Sequence, residues 1–407
     1  YKTTDYGKTW VSINQGIGKD DYLRVIREDL KVPGLLYGGA ERAFYISADA
    51  GVNWSLFQLN MPVVGITDLT FRDNDLVAST AGRAFWILDD LSAIQQSKGF
   101  PQDKLKLYTP KDSYRYGSSG YGGGRGNIGE NPAEGIVLDY FIGDKVDSSG
   151  LTLEIFTAEG KWLRTLSSIK PKKSDAYPGG PPPPVILPAQ EGVNRFAWDM
   201  RTETLPGIQN VFVQGDLRGY KVGPGMYKAK LTANGQSSEV TFKIKVNPAS
   251  TTTKEEWMAQ QLILEKIDAD VKEVHQMVNK MRLVKKQILL QDEILQDNPA
   301  AKDLLENGKS LLKKLEDWES QVIETRQKNY QDVINWPSKM NGELLDLKSR
   351  IDTNEAKLTN GAKQRLTDLN VRWKLDKSVI DKMISEDLPE YSKKFQDKGL
   401  PPLILIQ

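Results

Sequence analysis

The sequence has 407 residues, enough for two to four domains, and its 39% hydrophobic and 27% charged residues are ordinary for a globular protein. The net charge of +1 gives no overall field that would attract nucleic acid or an anionic membrane. The absence of Cys excludes disulfides, thiolate catalysis and cysteine metal sites, and the only histidine, His275, excludes a multi-histidine zinc site.

Two short segments near the start share one pattern: Ser or Thr, any residue, Asp, any residue, Gly, two residues, Trp. The first copy contains Thr3, Asp5, Gly7 and Trp10, and the second contains Ser47, Asp49, Gly51 and Trp54. The aspartates are 44 residues apart (49 − 5 = 44), a spacing typical of repeats that each form one small sheet. Asp caps a tight turn, Gly supplies a positive φ, the hydroxyl adds a local hydrogen bond and Trp anchors the loop between neighbouring sheets. We interpret the pattern as a folding device.

Short strands lie between the two copies and after the second. Alternation and turn residues predict strands at 22–27, 35–39, 43–46, 66–71, 75–80 and 82–90. This order predicts that residues 1–95 form the last blades of a β-propeller. Because a propeller needs about 4–8 blades to close, we expect the chain to be the C-terminal piece of a longer protein. The absence of a signal peptide therefore decides little.

The two Asp turns resemble the Asp-box, or BNR, repeats of sialidase-like and sortilin-like propellers. The segment Gly82-Arg83-Ala84-Phe85-Trp86-Ile87-Leu88-Asp89-Asp90 resembles the last blade of large secreted bacterial proteins with these repeats, often labelled glycosyl hydrolases. In that group a β-sandwich and a helical tail follow the propeller. The resemblance implies a secreted, periplasmic or outer-surface protein whose Asp turns lie away from any active site.

The middle of the chain is predicted to be a connector followed by a sandwich. Residues 96–135 form the connector, because the Gly-rich run 116–126 is flexible by composition. Several short strands bounded by turns predict an Ig-like β-sandwich at 136–247, with Asn234-Gly235 as its strongest hairpin signal. The run Pro181–Pro184 predicts a stiff surface loop, with docking into a partner's aromatic groove as the alternative.

Residues 252–407 change to the seven-residue spacing of packed helices. Two rows at this spacing are Ile267, Val274, Met281, Ile288 and Leu295, and Trp257, Leu264, Val271 and Val278. They predict an antiparallel helical hairpin, extended into a small bundle by helices near 339–356 and 361–386, with breaks at Asn298-Pro299 and Trp336-Pro337. His275 lies in the first helix, where we expect a surface or packing residue rather than a catalyst. The apolar tail 400–406 is expected to pack back on a domain.

Three arginines in corresponding parts of the repeats, Arg24, Arg42 and Arg83, could line a central channel. Sialidase-like hydrolysis would use such a cluster for a substrate carboxylate, together with a Tyr–Glu pair and an Asp acid. Residues of these types nearby in sequence are Tyr6, Glu28, Glu41 and Asp68. The alternative is that the arginines form ordinary salt bridges between blades. A Ca²⁺ site at Asp73–Asp75 or Asp20-Asp21 lacks the closing Glu of an ordered loop, and turn residues explain both groups; we expect no other cofactor.

We therefore expect a non-catalytic binding or scaffold protein whose propeller binds a polypeptide or a glycan at the cell surface or outside the cell. The first alternative is a glycoside hydrolase whose active site lies in blades absent from this chain. The second is an architectural subunit that docks into a larger surface assembly through its helices. A carboxylate pair in the channel would favour the first alternative, and an exposed apolar helix face the second. The sequence predicts no nucleic-acid partner and no membrane span.

Overall fold

The computed structural model describes residues 1–101, 103–116, 133–171, 176–353 and 355–403. These residues form a mixed β and helical fold, with four sheets in the first part of the chain and helices in the last. Within the described ranges, no helix combines the length and the apolarity that crossing a membrane requires.

Two antiparallel sheets form the N-terminal part. The first contains, in spatial order, β1 (Leu23–Glu28), β2 (Leu36–Ala40), β3 (Phe44–Ser47) and β4 (Ser55–Leu56). The second contains β5 (Ile66–Arg72), β6 (Asp75–Thr80) and β7 (Phe85–Leu88). Six of these seven strands overlap the strands predicted from the sequence, whereas the two-residue strand β4 was not predicted.

The two N-terminal sheets pack face to face. Phe44 and Ile46 of the first sheet share a buried cluster with Leu69 of the second. The ring of Tyr37 in β2 meets the ring of Phe71 in β5 edge-on, with centroids 5.9 Å apart. The interface is thus an apolar core between sheets, which is the place where hydrophobic burial stabilises such a pair.

Eight further strands form two more sheets after the short helix α1 (Ser92–Gln96). They are β8 (Leu105–Leu107), β9 (Ser113–Arg115), β10 (Ile136–Ile142), β11 (Thr152–Thr157), β12 (Trp162–Ser167), β13 (Gly192–Trp198), β14 (Gly225–Ala233) and β15 (Gln236–Val246). One sheet has the order β13–β10–β8, and the other has the order β12–β11–β14–β15–β9 with β9 parallel to β15. In the core, the buried Trp198 ring meets Tyr227 and Phe242 edge-on at 6.2 and 6.1 Å.

The predicted hairpin at Asn234-Gly235 is confirmed. The flanking residues Ala233 and Gln236 pair directly, and Asn234 and Gly235 have φ values of +50° and +71°. Two successive positive φ values define the type I′ turn, whose twist matches that of the flanking strands.

The segment predicted as a connector, 96–135, also contributes to the sheets. Strand β8 pairs with β10 and strand β9 pairs with β15, and Leu107 and Arg115 in these strands are buried. Sequence reasoning missed both strands because each has only three residues, too few to show a periodicity. The Gly-rich residues 117–126 lie outside the described part of the chain.

Five longer helices complete the chain. They are α2 (Lys254–Leu295), α3 (Lys302–Val322), α4 (Met340–Ile351), α5 (Asn360–Lys382) and α6 (Leu388–Asp397). All residues of both heptad rows in α2 are buried, and none is more than 6% exposed. Thr253 and Glu256 close a capping box at the start of α2, with reciprocal hydrogen bonds of 3.2 and 2.9 Å.

The later helices differ from their predicted bounds. Helix α4 ends at Ile351, before the predicted 356, because Asp352 leaves the helical conformation and joins a buried ion cluster. Helix α5 runs into a π-helical turn at Met383–Asp387 and then α6, which the sequence analysis missed. Pro389, at the start of α6, has no backbone N–H and cannot donate a helical hydrogen bond. The π-helical turn before it, which is wider than an α-helical turn, accommodates this missing hydrogen bond.

A single buried cluster continues from the middle sheets into the helices, from Leu107 to Leu403. Leu345 of α4 lies so close to Gly215 that a Cβ at that glycine would be 2.6 Å from the Leu345 Cβ. Leu403 packs on the same cluster, whereas 404–407 lie outside the described residues. Because the two parts share this core, the domain bounds 136–247 and 252–407 stay a prediction.

Candidate binding site

A β-bulge in the first strand positions Arg24. Leu23 pairs with Ala40 and Val25 pairs with Gly39, so Arg24 is the extra residue between two paired ones. A bulge turns its strand locally and re-aims the side chain of the extra residue. Arg24 consequently points along the sheet edge where β1 begins, toward the turn that joins β2 to β3.

Arg24 forms a cluster with Tyr22 and Glu41 at this edge. Arg24 Nε donates to Glu41 Oε2 at 2.6 Å, and Arg24 Nη2 donates to the Tyr22 hydroxyl at 3.1 Å. The Tyr22 hydroxyl donates to Glu41 Oε2 at 3.3 Å, and the guanidinium lies 5.4 Å from the Tyr22 ring centroid. The hydrogen bond from Arg24 lowers the pKa of Glu41, so this carboxylate stays ionised and cannot serve as a general acid near neutral pH.

The other two predicted arginines lie at the same edge, in neighbouring turns. Arg42 is in the β2–β3 turn and Arg83 is in the β6–β7 turn. Gly65 holds these turns side by side, because a Cβ at Gly65 would lie 3.3 Å from the Glu41 carbonyl oxygen and 3.6 Å from Ala81 Cβ. Both arginine side chains are exposed, and within the described residues neither forms a hydrogen bond or an ion pair, although the charge of Arg42 helps to lower the pKa of Glu41. The edge therefore carries two cations that are available to a ligand.

The remaining sequence candidates for hydrolysis do not join this cluster. Tyr6 is fully exposed in the first Asp loop, and Glu28, at the opposite end of β1, accepts from Gly34 N at 2.8 Å. Asp68 pairs with Arg27 at 2.7 Å. Sequence reasoning overlooked Tyr22, because its contact with Arg24 depends on the bulge, which leaves no clear mark in the sequence.

The two Asp loops have the same internal hydrogen bonds. In the first loop, Gly7 N donates to Thr3 Oγ1 and Thr9 N donates to Asp5 Oδ1, both at 2.8 Å. Tyr6 and Gly7 have φ values of +57° and +87°. The hydrogen bonds from Thr9 lower the pKa of Asp5 to about 2, so the loop depends on the ionised carboxylate.

The second loop repeats each of these features. Gly51 N donates to Ser47 Oγ at 3.0 Å, and Asn53 N donates to Asp49 Oδ1 at 2.9 Å. Ala50 and Gly51 have φ values of +58° and +89°. This loop follows β3 at the end opposite the β2–β3 turn, so it lies away from the arginine edge.

The two tryptophans of the repeated pattern have different surroundings. Trp54 is 3% exposed, and its Nε1 donates to the Ile13 carbonyl at 2.8 Å. Trp10 is 60% exposed, and its Nε1 donates within its own loop to the Gly7 carbonyl at 3.1 Å. Trp54 therefore anchors its loop to another segment, whereas Trp10 has no such anchor among the described residues.

The substitution Asp49→Ala is expected to lower the free energy of unfolding by about 1–2 kcal/mol, because it removes the acceptor of the Asn53 amide in a loop anchored by the buried Trp54. The matched control is Asp5→Ala, which removes the same bonds from an exposed loop and is expected to change stability much less. Urea titration followed by circular dichroism measures both. Equal losses in the two variants would contradict the distinction between the loops.

The acidic groups considered for Ca²⁺ are occupied by turns. Asp73 has a φ of +54°, and Asp75 Oδ1 accepts from Asp90 N at 2.9 Å. Asp21 accepts from Arg42 N at 3.1 Å and from the Tyr45 hydroxyl at 3.2 Å. In the part of the chain that the structure describes, no three acidic or histidine side chains converge as they would around a metal ion.

A concavity with a volume of about 820 Å³ lies among the helices. The residues that line it include Gln214, Asp216, Tyr330 and Leu345. Its wall carries the ion pairs Arg365–Glu343, at 3.0 Å, and Arg350–Asp346, at 2.8 Å, together with the charged residues Asp216, Glu355 and Lys357. None of the candidate site residues from the sequence lines this cavity.

No known protein family matches this sequence, and no curated protein matches it. Among solved structures, the chain has a likeness to the extracellular domain of a hybrid two-component system protein from B. thetaiotaomicron. The two chains are 12% identical, the match covers 57% of this chain and 26% of that chain, and the TM-score is 0.15. A TM-score this low assigns no fold, so the architecture rests on the strand pairing and loop geometry described above.

Proposed function

We propose that this chain belongs to a non-catalytic binding protein whose arginine edge, formed by Arg24, Arg42 and Arg83, binds an anionic group of a polypeptide or glycan. The observation that carries the proposal is the pair of exposed guanidinium groups of Arg42 and Arg83, neither of which forms a hydrogen bond or an ion pair within the described residues. Guanidinium groups bind carboxylates through planar, paired hydrogen bonds. The neighbouring Arg24, Tyr22 and Glu41 would supply further donors and acceptors.

We also propose that the two N-terminal sheets are adjoining blades of an Asp-box propeller and that an Ig-like sandwich follows. The support is internal repetition: the Asp loops share their hydrogen bonds, and β1 and β5 each have a bulge near the start. Loops at one edge of such a rigid scaffold can vary without disturbing the fold, which suits a binding surface. A secreted or surface location is part of this proposal and rests on the resemblance to Asp-box proteins.

Two other functions have some support. The Tyr22–Glu41 hydrogen bond of 3.3 Å beside Arg24 favours sialidase-like hydrolysis, since sialidases use a tyrosine nucleophile. That chemistry would need an acid from elsewhere, because Glu41 is ionised. Helix α5 exposes an apolar stripe of Val371, Leu375 and Val379, each more than half exposed, which favours an architectural subunit that docks through its helices.

The binding proposal is tested with an array of sialylated glycans, neutral glycans and acidic peptides. We expect anionic members to bind and the double variant Arg42→Ala/Arg83→Ala to lose at least tenfold in affinity, about 1.4 kcal/mol, because both exposed cations are removed. The control Arg72→Ala removes an exposed arginine from the far end of β5 and is expected to leave affinity unchanged.

Unchanged affinity in the double variant, or equal binding of neutral and anionic members, would contradict the proposal. Cleavage of the sialylated members that stops in a Tyr22→Phe variant would instead establish the hydrolase. The Phe variant keeps the ring of Tyr22 and removes only the hydroxyl that contacts Glu41 and Arg24.

A further inference from the structure

The two N-terminal sheets repeat the same pairing, so positions in one have equivalents in the other. Leu23 pairs with Ala40 just before the bulge of β1, and Ile66 pairs with Thr80 just before the bulge of β5. In each sheet the next strand then returns after a short turn. This registration makes β3 of the first sheet equivalent to β7 of the second.

Equivalent side chains on one face are buried in the first sheet and exposed in the second. Phe44 and Ile46, the first and third residues of β3, are 4% and 0% exposed. Phe85 and Ile87, the first and third residues of β7, are 75% and 58% exposed. The difference arises because the second sheet covers the first, whereas no described residue covers the second in the same way.

We propose that the face of the second sheet that carries Phe85 and Ile87 binds a further sheet of the same repeat, supplied by polypeptide N-terminal to Tyr1. The strand pairing supports this source. Lys2 pairs with Val11 across the first Asp loop as Ile46 pairs with Ser55 across the second. Residues 2–11 thus repeat the pairing of residues 46–55, and we place the strands that would precede them in this repeat before Tyr1.

A second copy of the described chain does not fit this face equally well. The surface that complements Phe44 and Ile46 is formed by Leu69, Leu76 and Ala78 of the second sheet, and all three are already buried against the first sheet. A folded second copy thus has no free surface of that kind to offer. The inference depends on sheet packing and is independent of what the arginine edge binds.

Hydroxyl-radical footprinting with mass spectrometry tests the proposal on two proteins, the 407-residue chain and the chain expressed with its upstream coding sequence. We expect the labelling rate of Phe85 to fall at least fivefold in the longer chain, toward the low rate of Phe44. Tyr330, which is 65% exposed in the loop before α4, is the internal control and is expected to label equally in both.

Two results would overturn the inference. Equal labelling of Phe85 in both proteins would show that no upstream sheet covers it, and concentration-dependent protection in the 407-residue chain would identify a second copy as the occupant. A matched pair of variants gives an independent readout. Phe85→Ser should lower the melting temperature of the longer chain alone, whereas Val193→Ser, at a position 60% exposed on β13, should leave both proteins unchanged.

Discussion

Replacing Asp352 with alanine is expected to lower the free energy of unfolding by about 3–5 kcal/mol, because it leaves buried cations without their counterion. The side chain of Asp352 is 5% exposed, and the residue lies at the C-terminal end of α4. Its two oxygens accept from Arg115 Nη2 at 3.2 Å and from Arg201 Nη1 at 2.9 Å, and the Lys221 amide also donates to it.

The surroundings of Arg115 explain why this loss would be large. The guanidinium is 1% exposed, and burial lowers its pKa. Its other nitrogens donate to the carbonyl oxygens of Val222 and Thr353, each at 2.9 Å. The Arg115 Cζ atom lies 4.7 Å from the ring centroid of Trp257 in α2. With its position fixed in this way, Arg115 cannot move to water when the carboxylate is removed.

Urea titration of Asp352→Ala and Asp346→Ala measures the effect against a matched control. Asp346 is in the same helix and also pairs with an arginine, Arg350, at 2.8 Å, but both side chains are more than 60% exposed. An exposed pair of this kind contributes about 0.5 kcal/mol or less. If the two variants lost the same stability, the buried cluster would not hold the sheets and helices together.

This cluster also shows what the sequence could not reveal. Arg115 and Asp352 are separated by 237 residues, and neither has a local pattern that points to the other. The heptad rows of α2 and the Asp loops were predictable, because helical periodicity and turn chemistry act over a few residues. Side chains that meet through tertiary packing leave no such trace in one sequence.

In the candidate site, too, some features could be predicted from the sequence and others could not. Arg42 and Arg83 lie in corresponding turns of the two sheets, whereas Arg24 is the extra residue of the bulge in β1, a position that Thr67 holds in β5. The sequence pattern therefore pointed to the two turn arginines, but the contacts of Arg24 with Tyr22 and Glu41 depend on the bulge. A bulge is one unpaired residue in a strand whose alternation otherwise looks regular, so the sequence does not mark it clearly. The direction in which the Arg24 side chain points is therefore known only from the strand register.

The stability of this protein is expected to fall as the pH drops from about 6.5 toward 4, because the only histidine must stay neutral. His275 is fully buried in α2, and burial lowers its pKa to about 4. Its Nδ1 lies 2.6 Å from the Pro206 carbonyl oxygen, to which it donates. Its Nε2 accepts from Asn341 Nδ2 at 3.3 Å, and Asn341 is held in this orientation because its Oδ1 accepts from Gly342 N at 2.8 Å.

The sign follows from proton uptake by the two states. Between pH 6.5 and 4 the unfolded chain binds a proton at His275 and the folded chain does not, so unfolding is favoured as pH falls. The slope approaches about 1.4 kcal/mol per pH unit, or roughly 3 kcal/mol over the whole interval. Burial raises the pKa of Asp268 and Asp270, and these two groups therefore make stability rise as the pH falls. The contribution of His275 must for this reason be measured separately, with a variant at that position.

The measurement compares the wild type with His275→Gln by urea titration between pH 7.5 and 5. Wild-type stability should decline more steeply than that of the variant, because Gln cannot take up the proton. NMR gives a direct check, since one histidine produces one imidazole signal, and its titration midpoint in the folded protein should lie below 5. A midpoint near the ordinary value of about 6.5 would show that the ring reaches water and that its two hydrogen bonds do not keep it neutral.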